Sequence, residues 1–143
     1  MRKDFKTLLC ISAFVGPMSS CMVLAAEDLV VDQYTKPSGN EYNSITVETG
    51  GKLHTDINHN IKTGIFTNKD TVWNHGTLTT NTIDNEVNST FGQENGQWGA
   101  LIINNGGTNA GLIQQESIKT VGGTLSNTGT ITAQGEFVNG ATI

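Results

Sequence analysis

A short motif, Gly-Thr-aliphatic-Thr preceded by Asn, recurs along this 143-residue chain. Its clear copies are residues 74–79 (NHGTLT) and 127–132 (NTGTIT), and looser copies begin at Gly51, Asn105 and Gly123. Four glycines of these copies, taken as equivalent, recur at irregular intervals, each about the size of one coil of a repeat fold: Gly51, Gly76, Gly107 and Gly129. Self-similarity on this scale predicts a stack of similar coils.

The composition favours short strands joined by tight turns. The chain holds 20 Thr, 15 Asn and 17 Gly. Thr and the aliphatic residues favour strands, whereas Asn and Gly accept the backbone of tight turns. From Ser44 onward, apolar residues fall in brief alternating pieces bounded by Gly, Asn or Asp. The one continuous apolar run, residues 100–103, predicts a strand that is buried more deeply than the others.

Two all-β architectures could use such strands. An antiparallel sandwich would use hairpin dipeptides such as Asn95-Gly96, Asn105-Gly106 and Asn139-Gly140. The repeated side-chain order instead favours a parallel β-helix, in which equivalent residues stack from coil to coil. We expect about four to five coils over residues 44–143, entered through an irregular segment at 27–43. The predicted corner positions, with Asn amides in a ladder and Gly at positive φ, are Asn74, Gly76, Asn105, Gly107, Asn127 and Gly129.

The N-terminal segment, 1–26, predicts a helical signal peptide. Arg2, Lys3 and Lys6 precede an apolar run, and small residues allow cleavage after Ala25 or Ala26. A membrane anchor is the alternative, but Gly16-Pro17 interrupts the roughly 20 apolar residues that a spanning helix needs.

A second processing route is lipidation. Residues 18–21 (MSSC) loosely match a bacterial lipobox, in which Cys21 would be acylated. The other cysteine, Cys10, also lies in the leader, so the processed chain is expected to lack disulfides and thiol chemistry.

The charge disfavours nucleic acid as a partner. Loss of the leader removes Arg2, Lys3, Lys6 and Asp4, and leaves five lysines against twelve carboxylates, a net charge of −7. An acidic chain without arginine lacks the groups that provide most of the affinity for polyanions.

The sequence predicts no catalytic, cofactor or metal site. His54, Asp56 and His59 lie close together but lack a further ligand at a metal-binding spacing. Asp84 and Glu86 would share a strand face and are the candidate carboxylate pair of a glycosidase, yet such pairs are common on acidic surfaces. No Gly-x-Ser-x-Gly elbow and no calcium-binding nonapeptide repeat is present.

Aromatic residues supply the contact candidates. The widest interval between repeat glycines, from Gly76 to Gly107, predicts a loop around residues 91–98. Trp98 and Phe91 are therefore expected to contact a ligand. Trp73 is expected to fill the stack beside Val72.

The motifs at 74–79 and 127–132, with the leader before them, resemble passenger domains of bacterial autotransporters and filamentous-haemagglutinin-like adhesins. The resemblance covers residues 44–143 and implies a right-handed parallel β-helix, a signal peptide and a C-terminal outer-membrane barrel. The chain departs from the family in three respects: the barrel is missing, the last residue, Ile143, is not aromatic, and no Asn-Pro-Asn-Leu motif is present. These departures are expected of a truncated passenger gene, of the first piece of a split reading frame or of a small stand-alone secreted relative.

The resemblance also implies a function. We expect a non-enzymatic, exported adhesin segment at the cell surface, outer membrane or outside the cell, or in the periplasm if the barrel is absent. Its expected partners are a host-surface protein or glycan, or further copies of itself through an open final coil. The alternatives are a glycan-active β-helix enzyme and a small surface protein anchored through Cys21.

Overall fold

The computed structural model describes residues 7–11, 20–24 and 26–143, with backbone alone in the first two segments. The described residues form strands and turns, without a helix. It follows that no helix in these ranges is long and apolar enough to cross a membrane. In chain order the strands are β1 Thr7–Ile11, β2 Ser20–Leu24, β3 Glu27–Val31, β4 Tyr34–Thr35, β5 Glu41–Val47, β6 Lys52–Thr55, β7 Asn60–Asn68, β8 Thr71–Asn74, β9 Thr77–Asn85, β10 Thr90–Gly92, β11 Ala100–Ile103, β12 Gly106–Asn109, β13 Leu112–Thr120, β14 Thr124–Asn127 and β15 Thr130–Asn139.

The strands from β3 onward wind into a β-solenoid of about six turns, which confirms the predicted parallel β-helix with slightly more coils. Each full coil has three faces, and every strand pairs in parallel with its equivalent in the next coil. The first face holds β3, β12, β14 and the C-terminal halves of β5, β7 and β9. The second face holds β4, β6, β8, β10 and the N-terminal halves of β13 and β15. The third face holds β11, the N-terminal parts of β5, β7 and β9, and the C-terminal parts of β13 and β15.

The leader does not show the expected helix where it is described. Thr7–Ile11 and Ser20–Leu24 pair as antiparallel strands, with Cys10 opposite Cys21 in register. Short apolar runs such as those of β1 and β2 fit a strand as well as a helix, so their pattern alone does not decide between the two. Ala25, at the predicted cleavage point, lies outside the described residues, so processing there and lipidation at Cys21 stay predictions.

The first coil begins earlier than the sequence predicted. Residues 27–43 were expected to be irregular, yet they contain β3, β4 and the start of β5. β3 pairs with β5 through Leu29 opposite Ile45 and Val31 opposite Val47. Val30, between Leu29 and Val31, is also apolar and is 45% exposed, so the segment lacks the apolar–polar alternation that marks a strand in the sequence.

The equivalence of the four repeat glycines is wrong. Gly51 and Gly129 precede strands of the second face, Gly76 precedes the third face, and Gly107 lies on the first face opposite Ile83. The Gly-Thr start suits a strand on any face, so the motif does not mark one corner.

The true coils also vary in length. In the first coil Leu29 pairs with Ile45, whereas a later coil must run from Ile83 to Gly107 before the chain returns to the same face. The difference lies in the corners, because the strands themselves stay aligned. A fixed repeat length therefore cannot be read from the motif.

Inward side chains from successive coils form stacked columns. Those of the first face are Leu29, Ile45, Phe66, Ile83 and Leu125, and those of the second face are Leu53, Val72, Phe91, Ile113 and Ile131. Phe66 and Phe91 meet with ring centroids 5.5 Å apart at 73°, a favoured edge-to-face geometry. Residues 100–103 are not buried more deeply than the other strands, because Leu101 and Ile103 point inward while Ala100 and Ile102 are partly exposed.

A column of asparagine amides also runs through the interior. Asn68 donates to the side-chain oxygen of Asn85 (2.8 Å), Asn85 to Asn109 (2.7 Å) and Asn109 to Asn127 (2.8 Å). The second hydrogen of each donor amide reaches a main-chain carbonyl on the second face of the following coil: Thr90, Leu112 and Thr130. Asn68 and Asn85 are fully buried, and burial is tolerated because both ends of each amide are bonded.

We predict that Asn85→Ala lowers the free energy of unfolding by about 2–3 kcal/mol, since it leaves buried partners on both sides without a hydrogen bond. Urea unfolding measures the change. The matched control is Asn43→Ala at an exposed position of β5, expected to stay within about 0.5 kcal/mol of the parent. Equal losses in the two variants would contradict a structural role for the column.

Candidate functional site

A cleft lies along the edge where the second face turns into the third. This corner differs in length between coils: residues 56–59 after β6, residues 75–76 after β8 and residues 93–99 after β10. A short corner between two longer ones leaves a notch of about 340 Å³. Its lining is Ile57, Asn58, Asn60, His75, Gly76, Thr77, Trp98, Gly99, Ala100, Glu116 and Ser117.

The floor of the cleft is the short corner His75-Gly76. A Cβ on Gly76 would overlap the carbonyl oxygen of His59, so only glycine fits this close approach. The hydroxyl of Thr55 accepts hydrogen bonds from the main-chain N–H groups of His75 (3.1 Å) and Gly76 (3.3 Å). The same hydroxyl donates to the side-chain oxygen of Asn74 at 2.7 Å, so the floor is fixed from inside the solenoid.

A buried amide bridge supports the base of the long corner. At Gly92 the chain leaves the second face and contributes no inward side chain. Gln115, from the next coil, is fully buried there. Its side-chain oxygen accepts from the Asn74 amide (2.7 Å), and its amide donates to the carbonyl oxygen of Gly92 (2.8 Å). Gln115 therefore connects the coils on either side of the departing chain.

The long corner forms one wall of the cleft. Its tip is a turn at Asn95-Gly96 with φ values of 57° and 75°, as in the type I′ turns that Asn-Gly favours. The Gln97 N–H donates to the Glu94 carbonyl at 3.2 Å and closes this turn. Trp98 follows it half-buried and lines the cleft, while Ile57 on the opposite wall is 56% exposed.

Two histidines lie in contact behind the floor. The Nδ1 atom of His75 is 3.2 Å from Nε2 of His54, and Nδ1 of His54 is 2.7 Å from the Tyr34 hydroxyl. His75 also reaches the long corner, since its Nε2 accepts the Glu94 N–H at 3.3 Å. His59 lies apart from this chain of bonds and contacts the Gly39 carbonyl and the Asn40 side-chain oxygen, both at 3.0 Å.

Charges are unevenly placed around the cleft. Among the described residues that line it, Glu116 is the one carboxylate, and no lysine is present. Outside the cleft, Lys36 binds Asp56 at 2.7 Å, and this hydrogen bond lowers the pKa of the exposed Asp56 carboxyl. Burial lowers the pKa of His75 from its ordinary value, and the neighbouring His54 adds to that effect. The cleft thus presents neutral polar groups and a single negative charge.

The aromatic residues considered as contact candidates lie in different environments. The loop is present where the sequence predicted it, and Trp98 lines the cleft. Phe91 is wrong as a contact residue, because it points inward from β10 and is fully buried. Trp73 does not fill the stack: it points outward from β8, with its ring 6.0 Å from His54 and 4.1 Å from the Lys52 ammonium.

The predicted corner asparagines lie at three different corners. Asn127 belongs to the amide column described above, whereas Asn74 belongs to the bridge through Gln115. Asn105 precedes β12, where its main-chain N–H donates to the Asn81 carbonyl at 2.7 Å.

The predicted corner glycines share no single backbone conformation. Gly107 has positive φ, as predicted. Gly76 and Gly129, both among the described residues, do not. At these two positions the requirement for glycine is close approach, since an added Cβ would overlap a main-chain carbonyl oxygen of the neighbouring coil.

The weaker candidate pairs do not assemble into a site. Asp84 is exposed on β9, but β9 ends at Asn85, so Glu86 lies in a corner and not on the same strand face. His54 Nε2 lies 3.8 Å from Asp56 Oδ1. Across the part of the chain that the structure describes, no three His, Cys, Asp or Glu side chains are grouped to hold a metal ion.

Sequence reasoning missed His75, Ile57 and Gln115. His75 was visible inside the repeat motif, but its contact with His54 joins residues 21 positions apart in neighbouring coils. Only the true coil length reveals that proximity, and the glycine equivalence had obscured it.

No protein-family model, curated protein or solved structure matches the chain. The arrangement of its own residues is therefore the basis for the proposal below.

We predict that Gly76→Ala destabilises the chain by about 2 kcal/mol or more, because the new methyl group must displace the His59 carbonyl or the corner itself. Gly122→Ala is the control, since its Cβ would lie 3.6 Å from the nearest described atom, in ordinary contact. Thermal unfolding followed by circular dichroism measures both. A Gly76→Ala variant as stable as Gly122→Ala would contradict the close approach at the floor.

Proposed function

We propose that this chain is an exported, non-enzymatic β-solenoid of the adhesin-passenger type, which binds neutral glycans in the cleft beside Trp98. The observation that supports the proposal most directly is the cleft itself: a notch of about 340 Å³ with an aromatic wall, held on a rigid stack. Concave sites that combine an aromatic surface with a few polar groups are typical of ligand binding. The stacked coils would hold such a site in a fixed position on the surface of the solenoid.

The lining chemistry supports a neutral polyhydroxyl ligand. Asn58, Asn60, Thr77 and Ser117 offer amide and hydroxyl groups to the cleft, and these can both donate and accept hydrogen bonds. The half-buried Trp98 offers an apolar ring face against which the C–H face of a sugar can pack. Glu116, without a lysine in the described lining, disfavours phosphate, sulfate or carboxylate groups on the ligand.

The same lining supports a binding role over glycosidic chemistry. A glycosidase of the usual kind requires two carboxyl groups on opposite sides of the bond that it cleaves. Glu116 is the one carboxylate in the described lining, and Asp84 lies on the first face, away from this corner. Display of several weak sites on one surface would raise the overall avidity without any new contact.

Binding of the purified chain to an array of neutral, sialylated and sulfated glycans tests the proposal. We expect binding to neutral members, and a loss of at least about tenfold in affinity in Trp98→Ala, as for an aromatic residue central to a binding site. Trp73→Ala is the matched control, because Trp73 lies on the outer surface of β8 and outside the cleft lining.

Two results would contradict this proposal. One is binding that is lost in Trp73→Ala but retained in Trp98→Ala. The other is the absence of binding to any neutral glycan on the array. Export is tested separately, by locating the protein in cell fractions of a bacterial host that expresses the full chain.

A further inference from the structure

The wall of the cleft that carries Trp98 is attached to the solenoid through a histidine. Residues 93–98 are joined at their ends to β10 and to Gly99-Ala100. In the described part of the chain, the bond from the Glu94 N–H to His75 Nε2 (3.3 Å) is the one hydrogen bond from this segment to another part of the solenoid. The other hydrogen bonds of the segment, Gly96 to Gln93 and Gln97 to Glu94, stay within it.

The partners of the two histidine rings assign their protons. A main-chain N–H can only donate, so Nε2 of His75 accepts from Glu94 and the ring proton of neutral His75 is on Nδ1. That proton is donated to Nε2 of His54 at 3.2 Å. The proton of His54 is then on Nδ1 and is donated to the oxygen of Tyr34 at 2.7 Å. Both rings are neutral, and all four ring nitrogens are bonded.

Protonation of either ring is incompatible with this chain of bonds. An imidazolium carries N–H groups at both nitrogens and has no acceptor. In protonated His75, the Nε2–H faces the Glu94 N–H, and the hydrogen bond to the long corner is lost. In protonated His54, the Nε2–H faces the Nδ1–H of His75, and moving the His75 proton to Nε2 only transfers the conflict to Glu94.

We propose that the His54–His75 pair is a pH-sensitive latch. In the closed form, at neutral pH, it holds the Trp98 wall of the cleft against the solenoid, and in the open form, on acidification, it releases that wall. As a device that regulates ligand binding, this inference rests on the proposed function. As a movement of residues 93–98, it depends only on the bonds just described. Histidine is the side chain whose ordinary titration range makes such a response physiological.

Other charged and titratable groups around the pair set the direction of the response. On the second face these are Tyr34, bonded to His54, and Lys52, which stacks on Trp73 beside it.

The corners contribute further charged groups. Asp56 lies 3.8 Å from His54 and forms an ion pair with Lys36, while Glu94 lies in the long corner. His59, which lies near Asp56, contacts the main-chain carbonyl oxygen of Gly39.

The balance of these groups favours neutral His75. Burial lowers its pKa most, the neighbouring His54 lowers it next and Lys36 lowers it further, while Glu94 and Asp56 raise it. The closed form therefore binds fewer protons than the open form, in which the pKa of His75 returns toward its ordinary value of 6.5. The stabilisation of the closed form by this group is fully present above that value and is lost as the pH falls toward the lowered pKa of closed His75, by up to about tenfold in population per pH unit for each proton taken up.

Hydrogen exchange of the Glu94 amide in the full chain, without any ligand, tests the latch. After correction for the intrinsic pH dependence of exchange, we expect its protection factor to fall by about tenfold or more between pH 7.5 and pH 5. The Ser89 amide, which donates to the Glu86 carbonyl at another corner, is the internal control and should change little.

Two variants separate the latch from general acid destabilisation. His75→Gln retains an acceptor for Glu94 but does not titrate, so the protection of Glu94 should become independent of pH. His59→Gln is the matched control, since His59 bonds elsewhere, and it should keep the response of the parent. If His75→Gln does not fold, the comparison of Glu94 with Ser89 in the parent and in His59→Gln carries the test.

The proposal is overturned if Glu94 protection is the same at both pH values, if Ser89 falls in parallel with it, or if His59→Gln abolishes the response. A folded His75→Gln variant that keeps the full pH dependence would overturn it as well. Because no glycan takes part, failure of this experiment leaves glycan binding untouched. Conversely, a negative glycan array leaves the latch standing as a conformational switch.

Discussion

Parallel pairing of each coil with the next is the interaction on which the rest of this structure depends. A single coil cannot bury its own inward side chains, so Leu, Ile, Val and Phe are covered only by equivalent residues above and below. The alignment constrains the strands, but it leaves the corners free to vary in length. The coil from Leu29 to Ile45 is therefore much shorter than the coil from Ile83 to Gly107, while the strands of both stay in register.

The cleft is a direct product of that freedom. A stack of identical coils would have a smooth edge, whereas the short corner at 75–76, between the longer corners at 56–59 and 93–99, leaves a recess. The departure of the chain at Gly92 would also leave a gap in the interior. The long side chain of Gln115 spans that gap and binds on both sides of it. An irregular surface feature is thus supported by a specific buried residue.

The fold could be predicted from the sequence because its causes are local. Brief alternating apolar pieces bounded by Gly and Asn predicted short strands, and repetition predicted stacking. The register could not be predicted, because it depends on how many residues each corner absorbs. Ile65 and Phe66 illustrate this: both are apolar and adjacent in the sequence, but the corner at Gly64 turns Phe66 inward and leaves Ile65 54% exposed. Phe91 was misassigned for the same reason, since the loop begins only after Gly92. Within the site, Trp98 was recognisable from the loop alone, while the contact of His54 with His75 required the true coil length.

The asparagine column has a direction. The three donor amides, those of Asn68, Asn85 and Asn109, each donate to the asparagine of the next coil toward the C-terminus. The aligned amide dipoles therefore polarise one another, as peptide dipoles do along a helix. Asn68 enters the column only as a donor and Asn127 only as an acceptor, so the two ends are chemically unequal. Toward the N-terminus the column ends at Val47, which pairs with Asn68 and has no amide, whereas at the other end the Asn127 side chain is exposed, so the row of amides meets solvent at its C-terminal end.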